Sequence, residues 1–287
     1  LPRVRARIAL LDASVYVRRH MTTFKDLGLA EPLLKAIVET GYTTPTPIQL
    51  AAIPPLLEGR DLLGCAQTGT GKTAAFALPI LDRLSKAAKR PIARHAKVLI
   101  LTPTRELAIQ IHESFRTYGK NVHLKYAVVY GGVGQAPQVK NVSQGVDVLV
   151  ATPGRLIDLI EQRHINLSAL EVFVLDEADR MLDMGFFEDI VKVVRQCPKE
   201  RQTLLFSATY PEGIAKLSAQ FMKTPLQITV QAQHEGTQIR QRWYEVKDSE
   251  RLHAVSLLLD HFRPQSTLAF CNTKQQCKEL VTLLQQE

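Results

Sequence analysis

The sequence predicts an α/β fold, a doubly wound parallel sheet covered by helices on both faces, followed by the incomplete start of a second domain of the same kind. Three observations predict it. Short β-branched or leucine-rich runs alternate with amphipathic stretches from residue 31 onward. The runs are apolar at consecutive positions, which implies burial on both faces, as in a parallel sheet. A glycine-rich loop directly follows one run and opens the next helical stretch.

Taken in order, the predicted strands are 61–66, 97–101, 125–129, 147–150, 172–175 and 203–206. The helix-like stretches between them are 73–86, 105–118, 154–161, 187–195 and 212–221. Periodicity fades over 231–238 (QAQHEGTQ), which reads as a linker. Beyond it a new pattern begins: strand 242–246, helix 251–261, strand 267–271 and helix 275–284. Residues 21–230 are therefore expected to form the first domain and 239–287 the amino-terminal portion of a second. That portion falls short of the roughly 100 residues usual for such a domain, and its unfinished sheet should expose apolar edges. Residues 1–20 lack an initiating Met, carry five arginines and contain one acid. They resemble either a transit segment or an extraneous extension ahead of Met21, and they stand outside the fold argument.

The 287 residues are 45% hydrophobic and 22% charged, ordinary for a globular chain with a sizeable core. No apolar run approaches the roughly 18 residues of a membrane span. The four cysteines, Cys65, Cys197, Cys271 and Cys277, form no CxxC pair, so neither a zinc site nor a disulfide framework is expected. A formal charge of +8 is compatible with a polyanionic partner without requiring one.

The chemistry begins with AQTGTGKT, Ala66 to Thr73. Gln67, Thr68, Gly69, Thr70 and Gly71 provide a loop whose backbone N–H groups can wrap phosphate oxygens. The helix that follows points its positive dipole end at the same place. Lys72 is placed to reach the β- and γ-phosphates, and the Thr73 hydroxyl to hold Mg²⁺. VFVLDEAD supplies the other half of such a site, with Asp176 and Glu177 at the carboxyl end of a strand. Asp176 would hold Mg²⁺, and Glu177 would orient and deprotonate the attacking water. Adjacent acids there could also merely cap the next helix.

The ordered set of motifs resembles the DEAD-box RNA helicases. Asp176-Glu177-Ala178-Asp179 spells the name-giving box, and GYTTPTPIQ (41–49), with Phe24 seventeen positions before Gly41, resembles the adenine-sensing segment. Pro103, Thr104 and Arg105 in PTRELA, the pair Gly131 and Gly132, and Thr152, Pro153, Gly154 and Arg155 resemble the RNA-contact motifs. Ser207-Ala208-Thr209 resembles the coupling motif, and 268–272 (LAFCN) the first motif of the second domain.

The resemblance implies a RecA-like fold, ATP and Mg²⁺ as cofactors, and single-stranded RNA gripped by its backbone. An amide such as Gln49 can pair with adenine N6 and N7, and the resemblance implies that Phe24 packs against the base. Arg105 and Arg155 at helix starts suit phosphate contacts that read no bases, although Arg105 could instead pair with Glu106. Ser207 and Thr209 could bond Asp179 and link hydrolysis to the RNA surface, or cap the helix after Pro211. The chain ends at Glu287, before the family's later arginine motifs, so ATP binding without turnover is the expectation for this stretch alone. The wording looks bacterial, which implies a cytoplasmic protein acting in ribosome assembly or RNA turnover. An ATP-dependent RNA clamp, or a DNA translocase on the same core, remains open at this point.

Overall fold

The computed structural model describes residues 23–87, 90–230, 240 and 242–286. Extensions 1–20 and the expected linker 231–238 lie outside the described residues. The chain divides into two units, one ending at Ala232 and one beginning at Gln233.

Unit one is built on seven strands: β1 (Leu62–Cys65), β2 (Ala96–Leu101), β3 (Tyr126–Val129), β4 (Val146–Ala151), β5 (Val172–Leu175), β6 (Gln202–Ser207) and β7 (Leu226–Thr229). They form one sheet in the order β3-β4-β2-β5-β6-β1-β7, and every pairing is parallel. Among the described residues nine α-helices cover it: α1 (Glu31–Glu39), α2 (Pro47–Leu57), α3 (Lys72–Lys86), α4 (Arg105–Tyr118), α5 (Ala136–Ser143), α6 (Pro153–Glu161), α7 (Ala178–Asp183), α8 (Phe187–Val194) and α9 (Glu212–Phe221).

Successive side chains of a strand point to opposite faces, and here both faces are core. Leu62, Val98, Ile100, Val148, Val174, Leu204 and Phe206 pack with Ile37, Ile53, Phe76 and Phe115 of α1 to α4. Their neighbours Leu63, Leu99, Leu101, Leu149, Phe173, Leu175 and Leu205 pack with Val142, Leu156, Met181, Ile190 and Leu217 of α5 to α9. This alternation makes a three-layer sandwich, as the consecutive apolar runs predicted.

Charge at the amino-terminal ends of the strands is locked in place. Lys97 donates to Asp147 at 2.8 Å in a nearly buried pair, and Asp147 also accepts from the Lys125 backbone N–H at 2.9 Å. Asp61 accepts from the backbone N–H groups of Thr203 and Lys223, each at 2.7 Å. These carboxylates tie strand starts across the sheet, leaving the opposite, carboxyl edge to the loops.

Unit two contains α10 (Arg251–Phe262) and α11 (Lys274–Gln286). The strands expected at 242–246 and 267–271 are not formed among the described residues. A ladder needs a neighbour to accept its backbone hydrogen bonds and a layer to bury its apolar face. Neither is present: Leu268 is 78% and Phe270 90% exposed. No described helix is long and apolar enough to cross a membrane.

Four helices of unit one and its last strand were not foreseen. α2 carries Pro47, Pro54 and Pro55, residues that ordinarily end helices; Pro47 sits at its first position, where proline is tolerated. α1, α5 and α7 are short, and β7 is a four-residue edge strand.

Candidate nucleotide site and nucleic-acid face

The loop between β1 and α3 turns on two glycines in left-handed backbone, Gly69 at φ 85° and Gly71 at φ 90°. A side chain at Gly71 would in addition meet the Gln49 amide at 2.5 Å, so glycine is required there twice over. Lys72 begins α3 and is only 6% exposed, yet its ammonium has no hydrogen-bond partner. A buried cation with no partner among the described residues, at the start of a helix, suits an anionic ligand. A triphosphate supplies that charge.

Asp176 follows β5 and is 3% exposed. Burial pushes its carboxyl up to about 6; the Lys72 ammonium pulls the other way and the Glu177 carboxylate adds to the rise. Its Oδ1 accepts the Glu177 backbone N–H at 3.1 Å. Among the described residues no group of three or more His, Cys, Asp or Glu could hold a metal. Mg²⁺ bound through Thr73 and Asp176 would therefore complete its shell from phosphate oxygens and water, as this ion commonly does.

Glu177 does not cap α7 with its side chain, although it holds the capping position. Its backbone is left-handed, at φ 53° and ψ 49°, a conformation costing a non-glycine residue on the order of 1 kcal/mol. One carboxylate oxygen accepts from Arg180 Nη1 at 3.2 Å. Arg180 was not singled out from the sequence; the signal was its position three residues on from Glu177 at a helix start.

Asp179 joins two loops. Its Oδ2 accepts from Thr209 Oγ1 at 2.9 Å, from the Thr209 N–H at 3.0 Å and from the Ala208 N–H at 3.2 Å. Burial raises its pKa, but the Thr209 hydroxyl and the Thr209 and Arg180 N–H groups outweigh that, and the carboxyl is held below its usual range, while the Ser207 hydroxyl, expected to join them, has no hydrogen-bond partner among the described residues. Of the two roles open to Thr209 in the sequence, the contact with Asp179 is the one formed. α9 starts after Pro211 without a side-chain cap.

The two residues expected to sense adenine, Phe24 and Gln49, are both buried. Phe24 is 5% exposed and packs into the core, its ring stacked on Tyr42 at 6.4 Å and 17°. Tyr42, 42% exposed, is the more open ring of the pair. Gln49 is 2% exposed. Its Oε1 accepts the Thr46 N–H at 2.9 Å and its Nε2 donates to the Gly71 carbonyl at 3.2 Å. The amide is thus turned onto the phosphate loop, one proton of its NH₂ already engaged, because the start of α2 is the nearest place to satisfy a buried amide.

The remaining motif residues occupy the other half of the same carboxyl edge. Pro103, Thr104 and Arg105 follow β2, Gly131 and Gly132 follow β3, and Thr152, Pro153, Gly154 and Arg155 follow β4. Arg105 lies over the Tyr130 ring at 5.8 Å and 3.7 Å from Glu106, so the helix-surface pair anticipated as an alternative exists alongside it. Gly132 needs its φ of 78° and lies beside the Arg105 guanidinium. Arg155 donates to the Val133 carbonyl at 3.0 Å, while its Nε and Nη1 are buried with no hydrogen-bond partner. Nη2 thus braces the β3 loop, while Nε lies 3.9 Å from an Asp158 carboxylate oxygen and the three N–H groups on Nε and Nη1 have no hydrogen-bond partner among the described residues. Gly131 and Gly154 have open space where a side chain would stand, leaving the backbone approachable.

Thr104 caps α4, its hydroxyl accepting the Leu107 N–H at 3.3 Å. Thr104→Ala is expected to cost about 1 kcal/mol of stability, read as a lower urea midpoint with ATP affinity unchanged. An unchanged midpoint would mean that the cap contributes nothing.

Comparison with known proteins adds independent findings. The DEAD/DEAH box helicase family model matches residues 46–217. The chain is 42% identical to the DEAD-box ATP-dependent RNA helicase RhpA of Helicobacter pylori, over 94% of this chain and 53% of that protein. It is 43% identical to the ATP-dependent RNA helicase CshA of Limosilactobacillus reuteri over 90% of this chain and 51% of that protein, and 42% identical to the RNA helicase CrhR of Synechocystis over 92% and 53%. It thus spans about half the length of these curated relatives. A crystal structure of a DEAD box protein from Methanococcus jannaschii superposes with a TM-score of 0.69 at 36% identity, covering 92% of this chain and 70% of that one.

Proposed function

Because this chain belongs to the DEAD/DEAH box helicase family, we propose that it is the nucleotide-gripping core of an ATP-dependent RNA helicase that holds single-stranded RNA by its backbone and opens short duplexes. One observation carries the reading. The carboxyl edge of the sheet is divided between adjacent strands: the nucleotide set stands on β5-β6-β1 and the phosphate-contact set on β3-β4-β2. The halves meet where β2 pairs with β5.

On this reading the loop N–H groups and Lys72 hold the β- and γ-phosphates, and Thr73 and Asp176 hold Mg²⁺. When bound, Mg²⁺ would neutralise charge developing on the phosphate oxygens. Glu177, one oxygen held by Arg180, orients water with the other and takes its proton. Asp179 transmits the state of this half to the loop after β6 through Thr209. Arg105 and the unsatisfied N–H groups of Arg155 take RNA phosphates from the neighbouring half. If ATP and RNA favour the same arrangement, each tightens the other. We place it in the cytoplasm, acting in ribosome assembly or RNA turnover, as the sequence resemblance implies.

The test is ATP hydrolysis by the whole protein, and ATP binding by this chain, without nucleic acid, with single-stranded RNA and with DNA of matching sequence. Stimulation and tighter ATP binding by RNA alone are expected. Equal stimulation by DNA would make the protein a DNA translocase, and RNA-tightened binding with no duplex opening would make it a clamp.

A further inference from the structure

A run of basic residues lies at the edge of the sheet opposite the motifs. Residues 83–97 carry six Lys or Arg (Arg83, Lys86, Lys89, Arg90, Arg94 and Lys97) and no acid. This segment leads from the end of α3 into β2, at the amino-terminal edge of the sheet. A cleft of about 800 Å³ opens there, lined among others by Lys86, Arg90, His123 and Lys125.

The acids near the cleft are already engaged. Asp82 accepts from the Ala30 N–H at 2.8 Å and from Lys86 at 2.5 Å. Asp147 accepts from Lys97 and from the Lys125 N–H. Arg90 and Arg94 have no ion pair among the described residues, and the Lys125 ammonium reaches only the Gln144 amide at 3.4 Å. Arg90, Arg94, His123 and Lys125 are exposed or partly so, so the field is open to solvent.

The basic segment is also held in shape. The Arg94 N–H donates to the Ser143 carbonyl at 3.2 Å, and the Arg94 carbonyl accepts from the Asn166 N–H at 2.8 Å. The Ile92 carbonyl presses on Gly145, where a Cβ would come within 2.0 Å. Arg94 itself is left-handed at φ 62°, a strain these contacts must maintain. A loop fixed at such cost, bearing unpaired cations around a cleft, is suited to a flexible polyanion.

We propose that this cleft is a second RNA-phosphate site, engaging strand that runs beyond the carboxyl-edge contacts. β2, with six residues, separates the two edges by roughly 20 Å, so a short oligonucleotide on the motif residues does not reach it and a longer one does. The contact is electrostatic and reads no bases. An acidic protein segment is the competing occupant; a globally basic chain with a nucleic-acid face on the same domain favours RNA.

The experiment compares the wild-type chain with the double variant Arg90→Glu, Lys125→Glu, using a short oligo-uridylate and one several times longer, over a salt series. Both side chains are solvent-facing, and far-ultraviolet circular dichroism with the urea midpoint verifies folding; Arg90→Gln, Lys125→Gln serves if the double reversal fails to fold. The expected result is about tenfold weaker binding of the long strand, with a salt slope smaller by about two. Affinity for the short strand and for ATP is expected to be unchanged. Equal loss for both lengths would reduce the effect to the protein's general field and overturn the site. Unchanged RNA binding with lost binding of polyglutamate would assign the cleft to an acidic protein instead. Because short-strand binding reads the carboxyl edge alone, failure of the helicase reading and failure of this site give different patterns.

Discussion

Lys72→Ala is expected to weaken ATP binding by about a hundredfold or more, whereas substitutions in the last two turns of α3, away from Thr73, leave it nearly unchanged. The ammonium is buried with no hydrogen-bond partner among the described residues. Its desolvation is already met in the folded protein, so the whole of a charge-assisted contact is gained when an anion arrives. Losing one partner of such a buried contact ordinarily costs about 2–5 kcal/mol. Fluorescence titration with a labelled nucleotide measures it. A second readout is independent of nucleotide: Lys72 is the strongest influence lowering the Asp176 pKa. In Lys72→Met the Asp176 proton should persist to a pH above about 6, visible in a carboxyl carbon NMR titration. ATP affinity that survives Lys72→Ala would place the triphosphate elsewhere.

The second large effect is set by pH. Asp176 is raised to about 6 in the folded chain, chiefly by burial, against roughly 3.9 for an ordinary aspartate. Between those values the folded protein binds more protons than the unfolded one, so its stability falls as pH rises from about 4 to 6. Above that window the charged carboxylate costs the nucleotide-free protein on the order of 3 kcal/mol. Asp176→Asn should recover it at neutral pH and flatten the profile across the window, in urea melts at several pH values. The same proton competes with metal. Mg²⁺-dependent ATP affinity in the wild type should therefore decline below about pH 6, and Asp176→Asn should abolish its Mg²⁺ dependence. A variant that is destabilised at pH 7, with Mg²⁺ dependence intact, would mean that this carboxylate is a structural group.

Much of this was legible because periodicity and spacing are local properties. Consecutive apolar residues such as Val148, Leu149 and Val150 announce a strand buried on both sides, and both core layers claim them. The phosphate loop was readable from Gly69, Gly71, Lys72 and Thr73 because glycine permissiveness and a helix start are encoded within eight residues. What could not be read depends on contacts distant in sequence. The Gln49 amide turns to the Gly71 carbonyl, 22 residues away. Phe24 belongs to the core because Tyr42 covers it. Strands 242–246 and 267–271 carried the right pattern and lack a partner to make them strands. The basic cleft draws together Lys86, Arg90, His123 and Lys125, none of which belongs to a motif.

The strand order has a consequence for how the chain is made. β1, which carries the phosphate loop, pairs with β6 and β7 alone, and Asp61 bonds Thr203 across 142 residues of sequence. At a synthesis rate of about 5–20 residues per second, β1 waits roughly 7–30 s after leaving the ribosome before its inner neighbour exists. During that interval Leu62 and Leu63 have no sheet to enter, and the helices destined to cover them can only collapse provisionally. The nucleotide loop is thus among the first functional segments translated and among the last to be seated. Binding of ATP to a nascent chain should appear only once β6 has emerged.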